Sequence, residues 1–204
     1  MPNMRYNREY TVAITGASGS IYGKRLLNEL LKRDFTISLV ISDPGKLVIK
    51  RELGFTFNEN DASVEIAGWL GMLDKASQLK YYRDDNLMAP ICSGSHITSA
   101  MVIMPCSMAT LSSIANGISS SLIERAADVM LKESRALVIV PRETPLSRIH
   151  LTNLLKVQEA GARVVPAMPA FYSNPKTIED IVDFVVGKVL DQLGVEHELF
   201  TRWG

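Results

Sequence analysis

"TGASGSIYG", Thr15 to Gly23, follows the short apolar run "YTVAI" and leads into a stretch with helical spacing. A strand, a glycine-rich turn and a helix start, in that order, make an anion site. Free backbone N–H groups and the positive end of the helix dipole face the same point. Three occupants compete: the pyrophosphate of a dinucleotide, the single phosphate of a mononucleotide, or none, the glycines then serving only a tight turn. A dinucleotide turn asks for G-x-G-x-x-G, whereas the order here is Gly16, Gly19, Gly23. The short-chain dehydrogenase variant, T-G-x-x-x-G-x-G, would need glycine at Ser20 and Tyr22. Both versions fail. The Y-x-x-x-K pair of that family occurs at Tyr172–Lys176, but Pro175 forbids the continuous helix it requires. An NAD(P) oxidoreductase is therefore the weaker reading.

Outward from the turn, strand-like runs alternate with helical patterns, as in a parallel sheet covered on both faces. "YTVAIT", "TISLVIS", "AMVIMP", "ALVIVP" and "ARVVPAMP" read as strands. "IYGKRLLNELLKR", "PGKLVIKREL", "SMATLSSIANG", "SLIERAADVMLKES", "LTNLLKVQEAG" and "TIEDIVDFVVGKVLDQLG" read as helices, the last capped by Thr177 with Glu179 and Asp180 in its first turn. Residues 54–82 show no regular pattern. The expected fold is α/β, a three-layer, doubly wound (Rossmann/flavodoxin-like) parallel sheet in a single domain over residues 1–204, with 1–9 a flexible start. Ligands of such sheets lie beyond the carboxyl ends of the strands. Those ends hold Thr15–Gly19, Ser42, Pro105–Ser107, Pro141–Thr144 and Pro166–Tyr172, a neutral-polar set with Arg142 and Glu143 as fixed charges.

Composition narrows the class. The 204 residues are 47% hydrophobic and 22% charged, with 22 basic and 22 acidic side chains, so nucleic acid and anionic membranes find no basic stretch. No apolar run is long enough to span a bilayer and no signal peptide is present, which implies a cytoplasmic protein without a membrane span. Two cysteines, Cys92 and Cys106, lack metal-type spacing and read as free thiols. His96 and His150 have no nucleophile at a known spacing, and His150 reads as a helix-start residue.

Beyond the turn, "SGSH" (93–96), "MPCSMATLSSIANG", "LIERAADVMLKE", "VPRETPLS", "PAFY" and "FTRWG" follow in an order and spacing that resembles the UbiX/Pad-type flavin prenyltransferases, within the flavin-dependent cysteine decarboxylase-like fold. The likeness runs from about Val12 to Trp203. It implies FMN held at subunit contacts of a homo-oligomer, often a dodecamer. It also implies transfer of a dimethylallyl group from dimethylallyl monophosphate to N5 and C6 of reduced FMN without a metal. The product, prenylated FMN, would serve a UbiD-type decarboxylase, in ubiquinone biosynthesis acting on a polyprenyl-4-hydroxybenzoate.

The resemblance assigns roles residue by residue. Gly16, Ala17, Ser18 and Gly19, with Ser42, would hold the cofactor, as would Ser107, Met108, Ala109 and Thr110 at the next helix start, and Arg142. Ser18 is expected near the flavin N5 edge. Glu52 and Glu143 would move protons, and Arg125, Lys132, Arg142, Tyr172 and Lys188 would receive the donor's phosphate. On propensity alone Ser107 is equally a helix cap, Glu52 an exposed residue at a helix end, and Arg125 and Lys132 a solvated face pairing with Glu124, Asp128 and Glu133. Leu87 stands where some relatives carry a Trp, with Tyr81, Tyr82 or Trp203 as substitutes. Two further readings share the flavin site: an FMN-dependent decarboxylase of peptidyl cysteine, opposed by the absence of His from residues 21–32, and a flavin carrier, which has no need of the charged cluster.

Overall fold

A computed structural model describes residues 8–203. Six parallel strands form one sheet in the order β3-β2-β1-β4-β5-β6. They are β1 (Glu9–Ile14), β2 (Thr36–Ile41), β3 (Leu79–Arg83), β4 (Ala100–Cys106), β5 (Ala136–Pro141) and β6 (Arg163–Val164). Every residue of β1 and β4 is buried, as expected where helices cover both faces.

On one face, α1 (Ser20–Lys32), α2 (Asp43–Leu53), α3 (Ala62–Trp69) and α7 (Ile178–Leu193) bury Leu26, Leu30, Ile49, Ile66, Val186 and Val189. On the other, α4 (Met108–Ala115), α5 (Leu122–Lys132) and α6 (Arg148–Glu159) bury Leu111, Ile123, Ala127 and Val157 against Met101 and Ile103. The chain reverses its winding between β1 and β4, and the crevice at that switch point is where doubly wound sheets bind ligands.

Several boundaries differ from the sequence expectation. β3 and α3 lie in the stretch without a pattern: β3 is an edge strand whose middle residues are only partly covered, so "LKYYR" shows neither a buried run nor clean alternation. The last strand shrinks to two residues because Pro166 offers no N–H to continue the ladder. α6 starts at Arg148, three residues early, since Ser147 and His150 cap each other: the His150 N–H donates to Ser147 Oγ and the Ser147 N–H to His150 Nδ1, both at 3.2 Å. Thr177 caps α7 as expected, and with Asp180 it forms a capping box. Within the segment expected to be flexible, Glu9 is buried and opens β1; residues 1–7 lie outside the described residues. No helix among the described residues is long and apolar enough to cross a membrane.

Candidate functional site

Three helix N-termini converge on the end of β1. The first follows the glycine turn, where Gly19 caps α1 with φ of 104°, a conformation that side-chain-bearing residues rarely adopt. The second belongs to α2. Ser42 accepts from the Gly45 N–H at 3.1 Å, and the Ser42 N–H donates to the Ile14 carbonyl at 3.0 Å. The third belongs to α4, where Ser107 Oγ accepts from the Thr110 N–H at 3.2 Å. Thr15, which the sequence placed at a strand end but gave no role, ties the third to the first. Its Oγ1 accepts from the Ser107 N–H at 2.7 Å and donates to the Pro105 carbonyl at 3.0 Å. The amides of Gly16, Ala17, Ser18, Met108 and Ala109 have no hydrogen-bond partner among the described residues. Such a set of amides and hydroxyls suits a phosphate that needs donors more than net charge.

Glu52 shows what α1 does to an anion. Its carboxylate accepts from the Gly19 N–H at 3.1 and 3.0 Å and from the Ser20 N–H at 2.9 Å, with the Ser18 side chain beside it. Burial raises its pKa, but hydrogen bonds from Ser18, Ser20 and Gly19 outweigh burial and hold it below the ordinary value. Glu52 is indeed exposed near the end of α2, as the bland reading held. A carboxylate is unfavourable at the carboxyl end of its own helix; here it gains the amino end of another.

Across the turn, Arg142 Nε donates to the Ser18 carbonyl at 3.1 Å, and the Arg142 N–H donates to the Cys106 carbonyl at 3.3 Å. Ser18 thus sits between a carboxylate and a guanidinium whose Nη groups have no partner among the described residues. Glu143, the next residue, is partly buried and accepts from the Thr144 N–H at 2.9 Å. Cys106 is fully buried, burial pushing its thiol well above the ordinary value, so it is no ready nucleophile. Tyr172 lies in an irregular segment with Asn174 at φ of 55°, which removes the dehydrogenase-type helix.

Lys188, on α7, and Tyr172, packed against that helix, belong to a second group. The Tyr172 ring packs edge-on against Phe184 at 5.8 Å and Trp203 at 5.4 Å, and Lys188 Nζ lies 6.0 Å from the Phe200 ring. This group joins the crevice through the Ala167 N–H, which donates to the Pro141 carbonyl at 3.1 Å, where Arg142 begins.

Arg125 and Lys132 are not brought into either group. Arg125 is exposed in the first turns of α5, 4.0 Å from Asp128, near Cys92. Lys132 ends α5 and pairs with Glu133 at 2.9 Å beside Gly94. That loop is bonded to Glu9 through His96 at 3.1 Å, so Lys132 lies at the amino edge of the sheet. A six-residue strand, about 20 Å long, separates the two edges. Among the described residues no group of three His, Cys, Asp or Glu could hold a metal ion.

Residues 2–190 match the model of the Flavoprotein family. The flavin prenyltransferase UbiX of Halalkalibacterium halodurans is 52% identical over 199 residues, covering 98% of this chain and 95% of the relative. This chain belongs to the flavin prenyltransferases. The family extends to Methanocaldococcus jannaschii, whose UbiX is 48% identical over 95% of this chain and 97% of its own. A solved UbiX structure in complex with FMN and dimethylallyl pyrophosphate superposes with a TM-score of 0.85 at 38% identity, covering 97% of this chain and 98% of that one. A dodecameric FMN-dependent UbiX-like protein of Escherichia coli superposes at 0.84 with 41% identity, over 96% and 99% of the two chains. The peptidyl-cysteine decarboxylase EpiD, at 18% identity and a TM-score of 0.58, shares the fold alone.

Proposed function

We propose that this flavin prenyltransferase joins the dimethylallyl group of dimethylallyl monophosphate to N5 and C6 of reduced FMN, releasing prenylated FMN to a UbiD-type decarboxylase in the cytoplasm. The observation that carries the reading is Ser18, held between Glu52 and Arg142 where three helix N-termini meet. FMN supplies the nucleophilic ring atoms when bound. Its residues of contact would be Gly16 to Gly19, Ser42, Ser107 to Thr110 and Arg142.

The chain's own groups divide the remaining work. Arg142 fixes the turn and presents its free Nη groups to an anion. Glu52, kept ionised, cannot donate a proton near neutral pH, so it serves as acceptor or as an anchor for the Ser18 hydroxyl. Glu143, with one oxygen engaged only by the neighbouring amide, is the better placed to carry protons away from the ring. Tyr172 and Lys188 would hold the donor's phosphate and stabilise it as it leaves. Lys132 lies at the opposite edge of the sheet, so its charge would reach a crevice only in another copy of the chain, and Arg125, paired with Asp128, joins neither group. A homo-oligomer, a dodecamer by analogy with the E. coli relative, provides that contact.

The test is mass spectrometry of the flavin after anaerobic incubation of reduced FMN-protein with dimethylallyl monophosphate. A gain of one five-carbon isoprene unit is expected. Unmodified FMN would reject the transfer. Gain only with the diphosphate would retain the transfer and reject the monophosphate donor.

A further inference from the structure

The C-terminal segment 195–203 lies against α7, and one carboxylate gathers it. Asp191 Oδ1 accepts from Arg202 at 2.8 Å and pairs with His197 Nε2 at 3.1 Å. Its Oδ2 accepts from Arg202 at 3.3 Å and lies 3.5 Å from Lys188 Nζ. The segment fits because α7 has a notch. A Cβ on Gly187 would stand 2.5 Å from Phe200 and 2.7 Å from His197. The His197 side chain is fully buried there. Phe200 then lies beneath both cations, 6.0 Å from Lys188 and 5.6 Å from Arg202, and Trp203 reaches Tyr172.

An exposed Lys–Asp pair one helical turn apart contributes little to stability. The Lys188 and Arg202 side chains are roughly half exposed, so the stability that Lys188 gains from the arrangement is small. Its geometric effect is larger. Lys188 loses rotamer freedom between Asp191 and the Phe200 face before any ligand arrives. We propose that Asp191 is a positioning residue: it clasps the C-terminal segment into the Gly187 notch and so presets Lys188 and Tyr172 for the phosphate of the allylic donor. This rests on the reading above, which gives Lys188 and Tyr172 that phosphate.

The experiment uses the FMN-loaded, oxidised protein, which binds the donor without turning it over, titrated calorimetrically with dimethylallyl monophosphate. Asp191→Asn and Gly187→Ala attack the clasp from opposite sides, the second in a helix interior where alanine is favourable. Both should weaken donor binding about three- to tenfold, the range for ordering one rotamer-rich side chain on binding. FMN affinity should stay unchanged and hydrogen exchange at residues 197–203 should speed up. Asp191→Glu should recover part of the affinity. Faster exchange with unchanged donor affinity in both variants would overturn the clasp as a positioning device. Lys188→Gln separates the two levels. If it weakens the donor while Asp191→Asn does not, only the clasp falls; if it has no effect, the reading of Lys188 falls and the clasp with it.

Discussion

Arg142 and Ser18 stand 124 positions apart in sequence and 3.1 Å apart in space, Nε to carbonyl oxygen. The bond ties the end of β5 to the glycine turn after β1, past the end of β4, which lies between them in the sheet. It consumes one of the five guanidinium donors and aims the rest. Arg142→Lys keeps the charge and loses that fork. A hydrogen bond to a charged group contributes about 1.5–3 kcal/mol, so the Kd for FMN should rise about ten- to a hundredfold. Flavin fluorescence titration measures it, and an unchanged Kd would remove Arg142 from the cofactor site.

Glu52 predicts a pH dependence of stability. Its folded pKa is depressed by hydrogen bonds that outweigh burial, so its contribution is present above the unfolded carboxylate value and lost as pH falls through the folded one. Glu52→Gln should lower stability at pH 7 by about 0.5–1 kcal/mol, the low part of the capping range because the carboxylate faces solvent. Thermal melts of both proteins from pH 7 down to pH 3 should converge. A gap that persists at the acid end would mean the carboxylate charge is not what holds the turn.

Gly45 stands where α2 meets the end of β1. A Cβ there would lie 2.6 Å from the Ile14 carbonyl oxygen, a backbone atom in the middle of the sheet that has little freedom to retreat. Gly45→Ala should cost about 1–3 kcal/mol despite alanine's better helix propensity, the overpacking term exceeding the propensity gain of about 1 kcal/mol. Urea unfolding decides it; a stabilised variant would show that α2 can slide off the turn.

The sheet and the glycine turn were legible because buried parallel strands are continuous apolar runs and helix starts carry caps at fixed offsets: Thr177 with Asp180, and Ser107 before Met108. β3 escaped because an edge strand keeps mixed polarity. The site was legible by residue type and less so by place. Lys132 precedes β5 and Arg142 follows it, so their order along the chain already put them at opposite edges of the sheet; the resemblance grouped them by charge and left that separation undrawn. Asp191 gave no signal beyond an i,i+3 spacing from Lys188, since its other partners come from a segment that only the folded chain brings back. Glu52 read as exposed, which it is; its two backbone donors, Gly19 and Ser20, stand at the start of another helix and leave no local trace.

The separation of Lys132 from Glu143 yields the most discriminating prediction. If one crevice takes Glu143 from one chain and Lys132 from another, each single variant fails for a different reason. Glu143→Gln should retain FMN and lose prenylation, the outcome that the proposed proton-carrying role of its carboxyl requires. Lys132→Gln should also retain FMN and lose turnover through weaker phosphate binding, with KM for the donor rising. When the two inactive proteins are unfolded together, refolded and reassembled, random pairing gives about a quarter of the crevices both native residues. Prenylation should therefore return to about a quarter of the wild-type rate, read by mass spectrometry of the flavin. A single-chain site would give no recovery, because every crevice would then carry one defect or the other.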